Sequence, residues 1–277
     1  MRFLAVVAFA TLLSPALDAA PALEIVKPVI SQMEGGDPLA PGYEHIGGET
    51  LFFSCRVSGF AKSAEQKVRL AYSVQAFDPK GVPIAEIYKN EMDAEVLPQD
   101  KEWEPKIELA LPTPPLVPPG DYKIVVKLDD LEAKTSAELS VPFRMRGTVV
   151  EPSEKLVVRA FRFYRSEDDA EPMPKAAYRT SDDLWAKFNI AGFKYGPNNK
   201  VDVSYVVSIL SASGAVLWKQ PDPALEQSES FYPKPYVQAS MNLSLKTVKP
   251  AEYTMLIQVK DAVGNQSYEI RQSFSVQ

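Results

Sequence analysis

Acid–base and nucleophilic chemistry has little to draw on in this chain, whose 277 residues include one histidine and one cysteine. A Ser–His–Asp or Cys–His arrangement would have to use His45. That residue lies in the run Gly42-Tyr43-Glu44-His45-Ile46-Gly47-Gly48 and reads as a surface-loop histidine. Cys55 falls among alternating apolar residues and reads as a small buried hydrophobe rather than a nucleophile. A single cysteine forms no disulfide within the chain, and the histidine count rules out multi-histidine zinc or iron centres. No glycine-rich stretch has phosphate-loop spacing followed by Lys-Ser or Lys-Thr. The expectation is a protein that is not an enzyme and carries no cofactor.

Two further residue sets could recognise something. Glu167, Asp168 and Asp169, with Asp182 and Asp183, are carboxylates on two loops that could converge at one end of a fold. Calcium takes six to eight oxygens and would be their ion. They lack the ordered Asp-x-Asp-x-Asp-Gly spacing, so a solvated acidic loop is the favoured reading. The second set is Phe231-Tyr232-Pro233-Lys234-Pro235-Tyr236, together with Trp103 beside Pro105. Proline rigidity could hold Phe231, Tyr232, Tyr236 and Trp103 outward as a stacking platform for sugars or a partner surface. The competing expectation is that these rings close a sheet edge.

The elements that would position these residues come from an internal duplication. At an offset of 133 residues Leu23 falls on Leu156, Leu51 on Leu184, Gly59-Phe60 on Gly192-Phe193, and Tyr72 on Tyr205. Further on, at 131, Pro119 falls on Pro250, Tyr122 on Tyr253, Asp130 on Asp261, and Phe143 on Phe274. Each copy reads as strands. Val68, Leu70, Tyr72, Val74 and Ala76 alternate with polar or small residues, as do Val201, Val203, Tyr205, Val207 and Ile209. Turn signatures follow at Asp78-Pro79-Lys80-Gly81 and Ser211-Ala212-Ser213-Gly214. Tyr122 to Leu128 and Tyr253 to Val259 alternate again, each leading into a last strand that ends at Phe143 or Phe274. Trp185 and Trp218 sit within strand patterns and read as core. The 24 prolines argue against long helices.

Leu116-Val117-Pro118-Pro119-Gly120-Asp121-Tyr122 and Val248-Lys249-Pro250-Ala251-Glu252-Tyr253 place a tyrosine at a strand start after a turn. This looks like the tyrosine corner of Greek-key sandwiches. With the early aromatics Phe52 and Trp185, the chain resembles fibronectin type III and related bacterial immunoglobulin-like modules. The resemblance implies an all-β protein of two tandem immunoglobulin-like (fibronectin III-like) Greek-key β-sandwiches, usually adhesive, spacer or binding in role.

Residues 1–19 have one positive charge, a short apolar run and small residues at the end, the layout of a signal peptide. The expected division is a signal peptide 1–19, a first sandwich 20–143, a linker 144–153 permitting some independent motion, and a second sandwich 154–277. No other segment is apolar enough to span a membrane as a helix. A net charge of −6 disfavours nucleic acid. The leader and the absence of disulfides point to a bacterial exported protein, periplasmic or extracellular. The expected function is binding or scaffolding in the cell envelope, with a protein partner engaged through sandwich edges or end loops. A carbohydrate-binding module, with glycan as partner, and a periplasmic chaperone are the alternatives.

Overall fold

A computed structural model describes residues 22–277 apart from 98 and 101; the expected signal peptide lies outside the described residues. The first eight strands are β1 (Glu24–Ser31), β2 (Glu44–Ile46), β3 (Thr50–Ser58), β4 (Lys67–Phe77), β5 (Tyr88–Glu95), β6 (Lys106–Pro112), β7 (Gly120–Asp130) and β8 (Thr135–Arg146). Nine more follow: β9 (Val157–Tyr164), β10 (Ala177–Tyr178), β11 (Asp183–Ala191), β12 (Val201–Ser211), β13 (Val216–Lys219), β14 (Ala224–Ser228), β15 (Val237–Ser244), β16 (Ala251–Asp261) and β17 (Gln266–Val276). A 3-10 turn at Pro197–Asn199 is the only helical element among the described residues. None of the described helices is long and apolar enough to cross a membrane.

Period-2 patterning decides which face of each strand is covered. Along β4, Val68, Leu70, Tyr72, Val74 and Ala76 are buried and the residues between them are not. A three-stranded sheet ordered β1-β3-β6 and a five-stranded sheet ordered β2-β8-β7-β4-β5 enclose one apolar core. A second pair, β9-β11-β15 and β10-β17-β16-β12-β13 with β14 also on β12, encloses another. Connectivity is the same in both pairs, except that the second has the extra short strand β13 where the first has only a Phe77–Pro83 bridge. The short strands β2 and β10 each run parallel to the last strand of their own pair, and the other pairings are antiparallel.

Particular side chains explain why the same positions recur. Tyr122 Oη donates to Pro118 O at 2.7 Å, and Tyr253 Oη donates to Lys249 O at 2.7 Å. Both rings are buried, so each phenol reaches a backbone carbonyl across its corner. Gly59 and Gly192 sit at φ +71 and +76, where a Cβ would lie 1.9 Å from Ala22 O or 2.0 Å from Lys155 O. Only glycine lets the end of β3 or β11 approach the incoming chain so closely.

The expected boundary after Phe143 is corrected. The first sheet pair does not end at Phe143: β8 continues through Arg146, because β2 pairs with Arg144, Met145 and Arg146 and Met145 is buried. Residues 147–153 are then the connection, and a side chain of the second pair reaches the first. Tyr232, from the second pair's β14–β15 connection, is only 7% exposed and packs into the core of the first. Its hydroxyl donates to buried Asp78 Oδ2 at 3.0 Å. Asp78 Oδ1 in turn accepts from the backbone of Lys80 at 2.9 Å and Val82 at 2.7 Å, so one carboxylate caps a turn and fastens the partner ring.

Candidate interface at the sheet edges

Sheets of this kind offer recognition chemistry at their edges, where backbone N–H and C=O groups lack a neighbour. Edge β5 carries Lys89, Glu91, Asp93 and Glu95 at every second position, an ordinary charged guard. The corresponding edge of the second sheet pair, β13 and β14, differs in kind. Val216 is 61% exposed, Leu217 57%, Trp218 37% and Leu225 64%. The β12–β13 turn is closed by Gly214 N donating to Ser211 O at 2.9 Å. It throws β13 along β12 with no strand beyond it among the described residues. Trp218 is therefore an edge residue and not core, and Trp185 is only half-buried, correcting both expectations. Alternation marks two faces of a strand and does not say which is covered.

A second edge opens into a cleft of about 600 Å³. One wall is β6, the free edge of the β1-β3-β6 sheet. The facing wall is the chain from Ile84 to Tyr88 that enters β5, and residues 230–232 and 234 of the second sheet pair close one end. Prolines shape this wall: Pro112 ends β6, and Pro114 O accepts from Gly48 N at 3.1 Å, pinning the chain beyond. The closing arm is held as firmly. Asn199 Nδ2 donates to Phe231 O at 2.7 Å, Tyr195 Oη donates to Lys234 O at 2.6 Å, and Ser230 Oγ donates to Tyr232 O at 2.7 Å. Lys234 Nζ donates to Glu226 Oε1 at 2.6 Å, which holds that carboxyl below the usual range and leaves the lysine committed.

The expected stacking platform is not assembled. Tyr232 is inserted between the sheet pairs, and Tyr236 is buried at 3% exposure just before β15. Burial and then the neighbouring Asp78 carboxylate hold the Tyr232 phenol well above its ordinary range, so it remains a donor. Phe231 alone of the segment is an exposed ring, at 50%, and it lines the cleft. Trp103 lies half-buried before the far end of β6, edge-on to Phe60 at 5.8 Å between centroids. The segment is aimed at the other sheet pair rather than at solvent.

The expected calcium loops do not converge either. Asp169 Oδ2 accepts from the backbone of Arg165 at 3.1 Å and Ser166 at 3.0 Å, and Asp182 Oδ2 accepts from Arg179 N at 2.8 Å. Glu167 contributes its backbone carbonyl to Lys187 Nζ. Among the described residues no three His, Cys, Asp or Glu side chains come together as a metal site, Asp168 and Asp183 included. Asp169 and Asp182 close their own turns.

His45 is also corrected. It is buried on β2, edge-on to Tyr43 at 4.8 Å and Phe143 at 6.0 Å, with Nδ1 3.6 Å from Glu49 Oε2. Burial pulls its pKa below 6.5, partly opposed by Glu49. The folded protein thus resists protonating a group that the unfolded chain protonates freely. This contribution to stability is fully present above pH 6.5 and is lost as pH falls through the depressed folded value. Denaturant midpoints measured from pH 7.5 down to 5 should fall more steeply for the native chain than for His45→Phe. Equal slopes would show that the imidazole does not titrate on unfolding. Cys55 is buried as expected, with burial pushing the thiol up to about 12.

The residues that build the junction and cleft went unremarked in the sequence: Asp78 as a docking group, Ile84 to Ile87, and β6. One signal was available. The turn position Asp78 falls on Ser211 in the second copy, so a carboxylate stands where the duplicate needs only a hydroxyl.

Comparison with known proteins adds little to this geometry. No family model matches the chain, and no curated protein does. Among solved structures, the C-terminal domain of the AgI/II polypeptide BspA from Streptococcus agalactiae is similar at a TM-score of 0.31 and 11% identity, over 91% of this chain and 100% of that one. Dimeric latent PorU from Porphyromonas gingivalis is similar at a TM-score of 0.25 and 12% identity, over 92% of this chain and 20% of that one. Scores this low establish no shared role.

Proposed function

We infer that this is an exported, non-catalytic binding or scaffold protein of the bacterial cell envelope, built from two tandem immunoglobulin-like sandwiches. In this reading it engages a protein partner through a sheet edge. The observation that carries it is the β13–β14 edge, where Val216, Leu217, Trp218 and Leu225 are exposed on strands with no further neighbour among the described residues beyond β12. An edge this apolar is a liability unless something covers it, and an added strand satisfies both its backbone and its side chains. The non-catalytic reading is supported by a histidine and a cysteine that are both buried. The burial of Tyr232 and Tyr236 removes the reason for preferring a carbohydrate module.

The test is cross-linking of the tagged full chain in its native envelope, alongside a Val216→Lys/Trp218→Lys variant. Both substitutions are at exposed positions, so the fold should survive. A stoichiometric protein recovered with the native chain and lost from the variant is the expected result. Equal recovery with both would overturn the edge reading, and recovery of glycan alone would replace the protein partner.

A further inference from the structure

We propose that the cleft along β6 is a second recognition site, which takes an extended peptide segment, apolar on its inward face and basic at the end near Phe231. It is independent of the β13–β14 edge.

The backbone of β6 dictates the class of occupant. Val57 N donates to Pro105 O at 3.0 Å at one end of the β3–β6 ladder, and Thr113 N donates to Glu49 O at 2.9 Å at the other. Antiparallel residues alternate between facing the partner strand and facing away. In this register Ile107, Leu109 and Leu111 exchange bonds with β3, while Glu108, Ala110 and Pro112 turn their backbone groups outward. Of these, Ala110 and Pro112 line the cleft and give it one N–H and two carbonyls, since Pro112 has no N–H, and Glu108 continues the free edge beyond it. Beneath them the floor is apolar: Ile84 and Leu111 are buried, and Leu109 is half-buried at the edge of the core. Ile87, Tyr88 and Phe231 stand exposed around the opening.

An alkyl chain would fill the floor and strip water from the edge without replacing its hydrogen bonds. An extended peptide satisfies both, with its backbone on β6 and alternate side chains on the floor. The outward residues from Glu108 to Pro112 accommodate a segment of about five residues.

Charge sets the polarity of the occupant. Glu86 lines the cleft, and Glu229 lies beside Phe231 in an adjoining pocket; neither forms an ion pair among the described residues. Lys234, which lines the cleft, is already paired with Glu226. A lysine or arginine on the peptide would meet Glu86, with Glu229 beside it, while Lys234 is held by its own carboxylate.

The test uses the purified full chain and a fluorescent peptide, KVTVTIK, in an anisotropy titration. Three controls accompany it: the same peptide N-methylated at alternate residues, its Lys→Glu analogue, and palmitate as competitor. Saturable binding is expected, weakened about tenfold or more by backbone methylation, because several hydrogen bonds are removed. The Lys→Glu analogue should bind more weakly to the native chain, and Glu86→Lys/Glu229→Lys should reverse that preference. Leu109→Glu should abolish binding. If that variant does not fold, the exposed Glu86 and Glu229 substitutions decide the matter alone. Equal binding of methylated and unmethylated peptides, displacement by palmitate alone, or no saturable binding would overturn the proposal. The envelope cross-linking reads different residues, so either result can fail without the other.

Discussion

Replacing Tyr232 with alanine should separate the two sheet pairs while leaving each folded. The ring is 7% exposed and packs with Val74-, Ile84- and Tyr122-bearing core of the first pair, although it belongs to the second. Deleting a buried aromatic side chain costs about 3–5 kcal/mol. Within a single core that loss would appear as lower stability of that core. Here it falls on the contact between two cores, each of which keeps its own sheets. Thermal unfolding of the native chain should be one cooperative transition, and that of Tyr232→Ala should split into two, with a larger radius of gyration by small-angle scattering. Tyr232→Phe keeps the packing and removes only the bond to Asp78, a contact to a buried charged group worth about 2 kcal/mol. That variant should remain docked with a lowered midpoint. An unchanged single transition in Tyr232→Ala would mean that residues 147–153 and the remaining contacts suffice.

Loss of Asp130 or Asp261 should do comparable damage inside a sheet pair. Asp130 Oδ2 accepts from Ala61 N at 2.6 Å, and its Oδ1 accepts from Glu132 N at 2.9 Å and Ala133 N at 3.0 Å. Asp261 does the same at the equivalent place, accepting from Lys194 N at 2.9 Å, Gly264 N at 3.0 Å and Gln266 Nε2 at 3.0 Å. Each carboxylate is about 1% exposed and ties the chain after β3 or β11 to a distant hairpin turn. Removing it leaves several donors without a partner in a place water reaches poorly. For Asp130→Ala we expect a loss of about 4 kcal/mol, with the contributions overlapping rather than adding. Asp130→Asn should lie between, because its amide nitrogen presents a donor to a donor. Chemical denaturation of the three proteins would check the order, and a change below about 1 kcal/mol for Asp130→Ala would show that water replaces the carboxylate.

Those two aspartates show what patterning can and cannot convey. Their equivalence was visible as a recurrence at offset 131, but an aspartate at a strand end reads as a solvated turn residue, and its burial depends on a loop nearly seventy positions away. The strands themselves were legible, because a half-buried sheet imposes period 2 on its own sequence. Corner tyrosines were legible for a similar reason: the hydroxyl's partner lies four residues upstream. Tyr232 was misjudged because its partner lies 154 residues away, and nothing local distinguishes a rigid aromatic arm aimed at solvent from one aimed at another core. His45 was obscured by its glycines. Its match with Tyr178, which is also buried on a short parallel strand, carried the better information. The cleft was invisible for a further reason, since an edge is defined by the strand that is missing beside it.

The cysteine at the centre of β3 gives the molecule a clock. Its thiol lies at zero exposure with a pKa pushed up to about 12 by burial, so at neutral pH the reactive thiolate is scarce even before access is considered. A thiol reagent therefore marks the chain only when β3 parts from its neighbours. The second sheet pair has Phe188 at the matching position and no sulfur nucleophile of its own. The rate of labelling thus times the opening of one half of the protein while the other half stays silent.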